Sequence, residues 1–296
     1  MEEETFVFNK ELYSDLTPIT CPVPPVCSIN YSDRFREAMG YFRALTEKNE
    51  YSERALLLTA VIIDLNSADY SAWYYRRRII KSLPNYDIQK EYQFIEDLGD
   101  SICKNYQVWG HRQYLVGVTG DYMKELEFTN EMLEDDNKNY HCWSHRVWVC
   151  NKFNCWVGEL EYTRKMIESD IRNNSAWSHR FHTYKILNLL GNKEKMMEEL
   201  EFVESTFRQC SNNEAVWTYI LGLFNIQTSD EMKALFSDFV SKIVEKRQFC
   251  CYAKICYVNI FKNTEKAIEY ARELKDRLDV AHASYWEWFM QKNQIQ

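Results

Sequence analysis

The sequence predicts an all-α protein, a solenoid of antiparallel helical hairpins, and three observations carry that expectation. Tryptophan recurs at 73, 109, 143, 177 and 217, with a period near 34 residues. A period in that range with two helices per unit is the mark of a helical repeat protein. A second marker precedes each later tryptophan: EYQF at 91–94, ELEF at 125–128, ELEY at 159–162 and ELEF at 199–202. From Phe94, Phe128, Tyr162 and Phe202 to the next tryptophan is 15 residues each time, whereas from each tryptophan forward to the next such aromatic is 21, 19, 19 and 25. Length variation gathers in loops, so the variable interval holds the turn of a hairpin and the constant one joins a hairpin to its successor. Third, Pro18, Pro22, Pro24 and Pro25 crowd the first 25 residues and only Pro84 follows. Long helical order is therefore open to the chain from about residue 30 onward.

Taken in order, residues 1–28 read as an extended lead-in, with CPVPPVC at 21–27 favouring a polyproline-like path. Residues 29–296 read as one helical-repeat domain, degenerate after about 225. Leu58 lies 15 before Trp73, so the register reaches back to the helix around YSERALLLTAVIIDL. Tyr270 lies 15 before Tyr285, so a degenerate unit closes the chain. Within a unit, Tyr140, Trp143 and Arg146 step by three along one face, and Trp143, Val147 and Cys150 continue an apolar stripe.

Composition bounds the function. The 296 residues carry 15% aromatics, including 9 Trp and 20 Tyr, enough for a well-packed interior or a large interface. A net charge of −8 argues against a nucleic-acid binder. Ten cysteines are scattered with no Cys-x-x-Cys pair, and MEEETFVFNK is acidic where a signal peptide is basic and then apolar. The expectation is a cytoplasmic protein with reduced thiols. The longest strongly apolar stretch, ALLLTAVII at 55–63, is too short to span a bilayer, so no transmembrane segment is expected.

The repeat columns sort into structure and chemistry. Trp73, Trp109, Trp143, Trp177 and Trp217 read as core knobs, and Arg76, Arg112, Arg146 and Arg180 as buried ion-pair partners. Asp69, Asn105, Asn139, Asn173 and Asn213, four before each tryptophan, read as helix N-caps. His111, His145 and His179 repeat two after the tryptophan, a regularity that suggests packing rather than catalysis. His141 and His145 stand at i and i+4, but no third metal ligand is evident, and no metal is assigned to this chain.

One column is less ordinary. Five before the tryptophan stand Ala68, Lys104, Lys138, Arg172 and Asn212, so consecutive units place a cation just ahead of a helix N-terminus, where it opposes the helix dipole. One explanation is that each cation also closes the preceding helix, where it is favourable. The other is an anion site, in which stacked N-termini and cations attract phosphate or carboxylate. Tyr70, Tyr106, Tyr140, Gln107 and His141 in the neighbouring columns can donate to such an anion. No Walker A loop, His-Glu-x-x-His, Gly-x-Ser-x-Gly or dinucleotide fingerprint occurs, and there are only eight glycines. The chain reads as half of a site awaiting a partner.

At these residues the sequence resembles the alpha subunit shared by protein farnesyltransferase and protein geranylgeranyltransferase type I. The matching units are DYSAWYYR (69–76), NYQVWGHR (105–112), NYHCWSHR (139–146) and NNSAWSHR (173–180), with YSDRFREAMGYFRALTEKNEYSERALLLT (31–59) ahead of them. The resemblance is strong over about 28–225 and thins beyond; NEAVWTYILG (213–222) fits a fifth unit that lacks the arginine. It implies a right-handed, crescent-shaped superhelix wrapped around a beta subunit that carries zinc and most of the isoprenoid pocket. It further implies transfer of farnesyl, and geranylgeranyl as well, from the isoprenoid diphosphate to the cysteine of C-terminal Cys-a-a-X motifs, on proteins such as small GTPases, with magnesium for farnesyl transfer.

By position, Lys104 matches a lysine that contacts the diphosphate, and Lys104 with Tyr140 is assigned the catalytic part. Gln107 matches a glutamine that binds the peptide carboxylate. Tyr106 matches an active-site tyrosine and Tyr70 a tyrosine lining the peptide site. Asn139 and His141, with Tyr140, match the edge of the diphosphate region. Two alternatives stand beside this. A tetratricopeptide-like peptide adaptor has a similar period but lacks the Trp-x-His-Arg core. A Rab-type geranylgeranyltransferase alpha subunit carries inserted domains that 296 residues do not accommodate.

Overall fold

The computed structural model describes residues 6–20, 26–27, 29–99 and 103–293. Much of the expected polyproline-like path, at 21–25 and 28, lies outside the described residues. The all-α expectation holds. The described residues form α1 (Asp33–Glu47), α2 (Glu53–Leu65), α3 (Tyr70–Ser82), α4 (Gln89–Asp97), α5 (Tyr106–Thr119), α6 (Tyr122–Asp135), α7 (Tyr140–Phe153) and α8 (Glu159–Ser169). They continue with α9 (Asn174–Ile186), α10 (Lys193–Thr206), α11 (Glu214–Ile226), α12 (Asp230–Lys246), α13 (Cys251–Ile260), α14 (Glu265–Glu273) and α15 (Ala283–Lys292). No strand occurs among the described residues.

The helix boundaries follow from local chemistry. Asp69 Oδ1 accepts the Ala72 N–H at 2.9 Å, Asn173 Oδ1 that of Ala176 at 3.1 Å and Asn213 Oδ1 that of Ala215 at 3.2 Å. Each satisfies a donor that the first helical turn leaves orphaned. The variable turns reverse through left-handed residues: Asn85 at φ 55°, Gly120 at 74°, Asn154 at 51° and Asn188 at 55°. Glycine takes that conformation without cost and asparagine with little, so the turn lengths are free to differ.

The chain divides into two compact units, one of residues up to 135 with 139–149, the other of 136–138 with 150 onward. In the first unit, Leu45, Leu58, Ile62, Ile63, Trp73, Ile79 and Leu115 are buried together. The stretch before α1 joins this core through Tyr13, whose hydroxyl donates to the Arg54 carbonyl at 2.9 Å. In the second unit, Trp177, Phe207, Trp217, Phe236 and Trp286 are buried, with Phe207 stacked on Trp217 at 4.7 Å. Beyond residue 225 helical pairing persists, α12 packing on α13 and α13 on α14, and a π-helical turn, Leu274–Leu278, leads toward α15.

Burying an indole leaves one polar N–H to satisfy. Trp73, Trp109, Trp177 and Trp217 solve this identically. Each donates Nε1–H to the carbonyl six residues earlier, Ser67, Cys103, Ile171 and Ser211 respectively, at 2.7–2.9 Å. The tryptophan therefore packs the core and ties down the link that precedes its helix. Trp143 is likewise buried, as are Arg76, Arg112, Arg146 and Arg180.

Candidate functional site

The candidate site lies at helix N-termini of the first unit. Asn105 precedes α5, and its Oδ1 accepts the N–H of Gln107 at 2.8 Å and of Val108 at 3.2 Å. Its amide donates to Ser67 Oγ at 2.9 Å, binding the start of α5 to the link before α3. The helices α3 and α5 pack together, so their N-termini are neighbours. With the backbone donors committed to the cap, the side chains before and after it face outward. Lys104 is exposed and Gln107 half-buried. Tyr70 at the start of α3 is 73% exposed, Tyr106 65% and Tyr140 68%. Exposure this large for three tyrosines in equivalent positions is a surface feature that packing does not account for.

The structure brings four of the sequence-selected residues together. The His141 ring meets the Tyr106 ring edge to face at 4.3 Å between centroids, and Tyr140 lies at 5.7 Å on the same imidazole. The His141 pKa is lowered, by burial first and then by the Lys104 charge, so that ammonium and imidazole share one locality. The imidazole is therefore neutral at pH 7 and keeps one N–H to donate. A lysine cation, a neutral histidine, tyrosine hydroxyls and the positive end of α5 together form a donor set for an anion. Asn139 differs from its neighbours. It is 3% exposed, and its Oδ1 caps α7 by accepting the Cys142 N–H at 3.1 Å. His145, spaced to share a metal with His141, instead turns its Nε2 to Glu125 at 2.6 Å.

Beneath this surface the buried arginines find their partners in glutamates that the repeat columns had not been expected to supply. The first residue of each EYQF-type marker is a buried glutamate. Glu91 receives Arg76 Nε and Nη2 at 2.8 Å each, Tyr86 Oη at 2.6 Å and His111 Nε2 at 2.9 Å. Glu125 receives Arg112 through two bonds of 2.8 Å, and also His145. In the second unit, His179 meets Glu159 at 2.6 Å, while Glu199 receives Arg180, Tyr184 and, in place of a histidine, Tyr219.

Burial alone would raise the Glu91 pKa, but His111 and Arg76 outweigh it and hold the carboxyl at about 2. The His111 pKa is lowered by its burial against the pull of Glu91. The imidazole is therefore neutral and donates Nε2–H, and Arg76 supplies the cation. That tautomer leaves Nδ1 a bare acceptor, and among the described residues Nδ1 of His111 and of His145 has no partner. The signal for this network was present in the sequence, since each of these glutamates stands 18 before a tryptophan.

The family model described as "Protein prenyltransferase alpha subunit repeat" matches residues 52–83, 88–118, 122–153 and 156–187, which are the helix pairs α2–α3, α4–α5, α6–α7 and α8–α9. The protein farnesyltransferase/geranylgeranyltransferase type-1 subunit alpha of Schizosaccharomyces pombe is 42% identical over 291 residues, 95% of either chain. Its Dictyostelium discoideum counterpart is 35% identical over 277 residues, 89% of this chain and 86% of that one. Among solved structures, a chain of Candida albicans protein geranylgeranyltransferase-I complexed with GGPP superimposes with a TM-score of 0.82 at 30% identity, over 95% of this chain and 98% of that one.

Proposed function

The chain belongs to the protein prenyltransferase alpha-subunit family, and from that premise we propose that it serves as the alpha subunit shared by protein farnesyltransferase and protein geranylgeranyltransferase type I. It acts as one half of a heterodimer with a beta subunit. The heterodimer transfers farnesyl or geranylgeranyl from the isoprenoid diphosphate to the cysteine of Cys-a-a-X proteins. The observation that supports this chain's share is the grouping of Lys104, Tyr106, Tyr140 and His141 at exposed helix N-termini.

In this reading the donors at the N-terminus of α5 receive the diphosphate. As the sulfur–carbon bond forms and the carbon–oxygen bond breaks, negative charge grows on the departing oxygen. A cation already in place there lowers the barrier, because no reorganisation is needed at the moment of reaction. Lys104 takes this part, Tyr140 and Tyr106 add hydroxyl donors, and neutral His141 contributes an N–H. Asn139, buried as a cap, holds the α7 start that presents Tyr140 and His141. Tyr70, on the adjacent N-terminus, lines the peptide side. The donors grouped here suit an anion, and the family resemblance implies that zinc belongs to the beta subunit and magnesium to the diphosphate. When bound, zinc in the beta subunit would keep the acceptor cysteine as thiolate, and magnesium would share the diphosphate charge. No helix among the described residues is long and apolar enough to cross a membrane.

Co-expression with candidate beta subunits, followed by transfer assays with both isoprenoid diphosphates, tests the proposal. Heterodimers should transfer at least one isoprenoid and the isolated chain neither. Transfer by the isolated chain, or no transfer with any beta subunit, would overturn it.

Gln107 gives a sharper test. Its backbone is held by the Asn105 cap, which leaves the half-buried amide to reach a substrate carboxylate. Gln107→Ala should raise KM for the peptide by about 10–100-fold, the range for losing one hydrogen bond to a charged group, with isoprenoid affinity unchanged. Equal weakening of both substrates would contradict this role.

A further inference from the structure

The second unit carries a cavity that the proposed chemistry does not use. About 450 Å³ open between the starts of α11 and α13 and the approach to α15. Its walls include Glu214, Tyr252, Asp279, His282, Tyr285 and Trp286, and among the described residues no lysine or arginine lines it. Both carboxylates are held in place. Glu214 Oε2 accepts the Tyr252 hydroxyl at 3.3 Å. Asp279 takes His282 Nδ1 on Oδ1 at 2.7 Å and Trp286 Nε1–H on Oδ2 at 2.8 Å. A carboxylate offers about four acceptor sites, so these contacts leave capacity for another donor.

The two acids face one space. The Tyr252 hydroxyl is held above its ordinary range by burial and then by the charges of Glu214 and, more weakly, Asp279. The remaining wall is aromatic, with Tyr285 set edge to face on Trp286 at 4.8 Å. Carboxylates combined with π-faces suit a cation, and a planar guanidinium suits them best, since it can stack on a ring while its fork engages a carboxylate.

We propose that this cavity receives a basic side chain, an arginine by preference, presented by the beta subunit. The inference rests on the alpha-subunit reading and adds the chemistry of one partner contact to it. A protein-borne cation fits better than a free one. The cavity is open to water, where an isolated cation gains little, whereas a side chain delivered by a docked surface arrives at high local concentration. The exposed apolar residues Val280, Tyr285 and Trp288, at 58%, 44% and 51%, supply a rim for such a surface to cover.

The experiment measures equilibrium assembly of the full chain with the beta subunit that supports transfer, at several salt concentrations, for wild type, Glu214→Gln and Glu214→Lys. Glu214→Gln should weaken assembly by about tenfold and Glu214→Lys by more, because a like charge then faces the incoming cation, and both should flatten the salt dependence. Glu214 is exposed, so melting curves should match wild type. If Glu214→Lys nonetheless unfolds, the near-isosteric Glu214→Gln decides the matter. Wild-type affinity and salt dependence in the folded variants would overturn the cavity's role and leave the alpha-subunit reading intact. Failure of the wild-type chain to bind any beta subunit would overturn both.

Discussion

Lys104→Ala slows single-turnover prenyl transfer by about 10²–10³-fold, the usual loss when one preorganised donor to a developing charge is removed, and leaves heterodimer assembly unchanged. The side chain is exposed and stands before the cap, so its removal takes nothing from the core. The loss should appear in the chemical step more than in isoprenoid binding, since the leaving diphosphate is more negative than the bound one. Lys138 is the control. It occupies the same column, with its Nζ 3.0 Å from Asp170. Lys138→Ala should cost less, because the resemblance places the diphosphate-contacting lysine at 104 and not at 138. Isoprenoid binding, gel filtration and single-turnover kinetics on both variants separate the cases. A wild-type rate for Lys104→Ala, or a loss traced wholly to failed assembly, would remove Lys104 from the reaction.

Glu91→Ala destabilises the first unit by about 3–5 kcal/mol, the cost of stranding a buried cation. Arg76 is 4% exposed and His111 fully buried, and both lose their carboxylate partner. Glu91→Gln should cost less, since one acceptor remains. The pH dependence follows from the same group. Its carboxyl lies below the ordinary value of 4.5, at about 2, so the stabilisation is complete above about 4.5 and fades as pH falls toward 2. That interval corresponds to roughly 3 kcal/mol. His111 acts in the same direction, because its lowered pKa means that acid must protonate a buried neutral ring. Urea titrations from neutral to acid pH should show wild type losing stability toward the variant, and parallel curves for the two would sink this account.

The repeat was legible because its signals are local. A cap four before the tryptophan, the 15-residue interval and the scarcity of proline each act within one or two turns of chain. They mark the hairpins up to about residue 225, their order and the columns that hold Lys104, Tyr106, Gln107 and His141, but not the helices beyond it. The resemblance then attached chemistry to particular positions, which periodicity alone could not do. Asn139 shows the limit, because its column read as a helix cap while the resemblance put it at the edge of the diphosphate region, and the structure holds it 3% exposed with its Oδ1 capping α7. The glutamates were visible at constant spacing, yet nothing in one dimension says that Glu91 meets Arg76 on one side and His111 on the other.

By itself, then, the sequence determined an all-α repeat, its register and the residues that crown each helix N-terminus, since helix periodicity and capping are properties of a few contiguous residues. Only the tertiary structure decided that His141 turns to Tyr106 and Lys104 while His145, one turn away, turns to a buried glutamate. The two histidines share a helix and nearly share a face. What separates their surroundings is desolvation: His145 is buried with its Nε2 on Glu125, whereas His141 stays partly exposed at the rim.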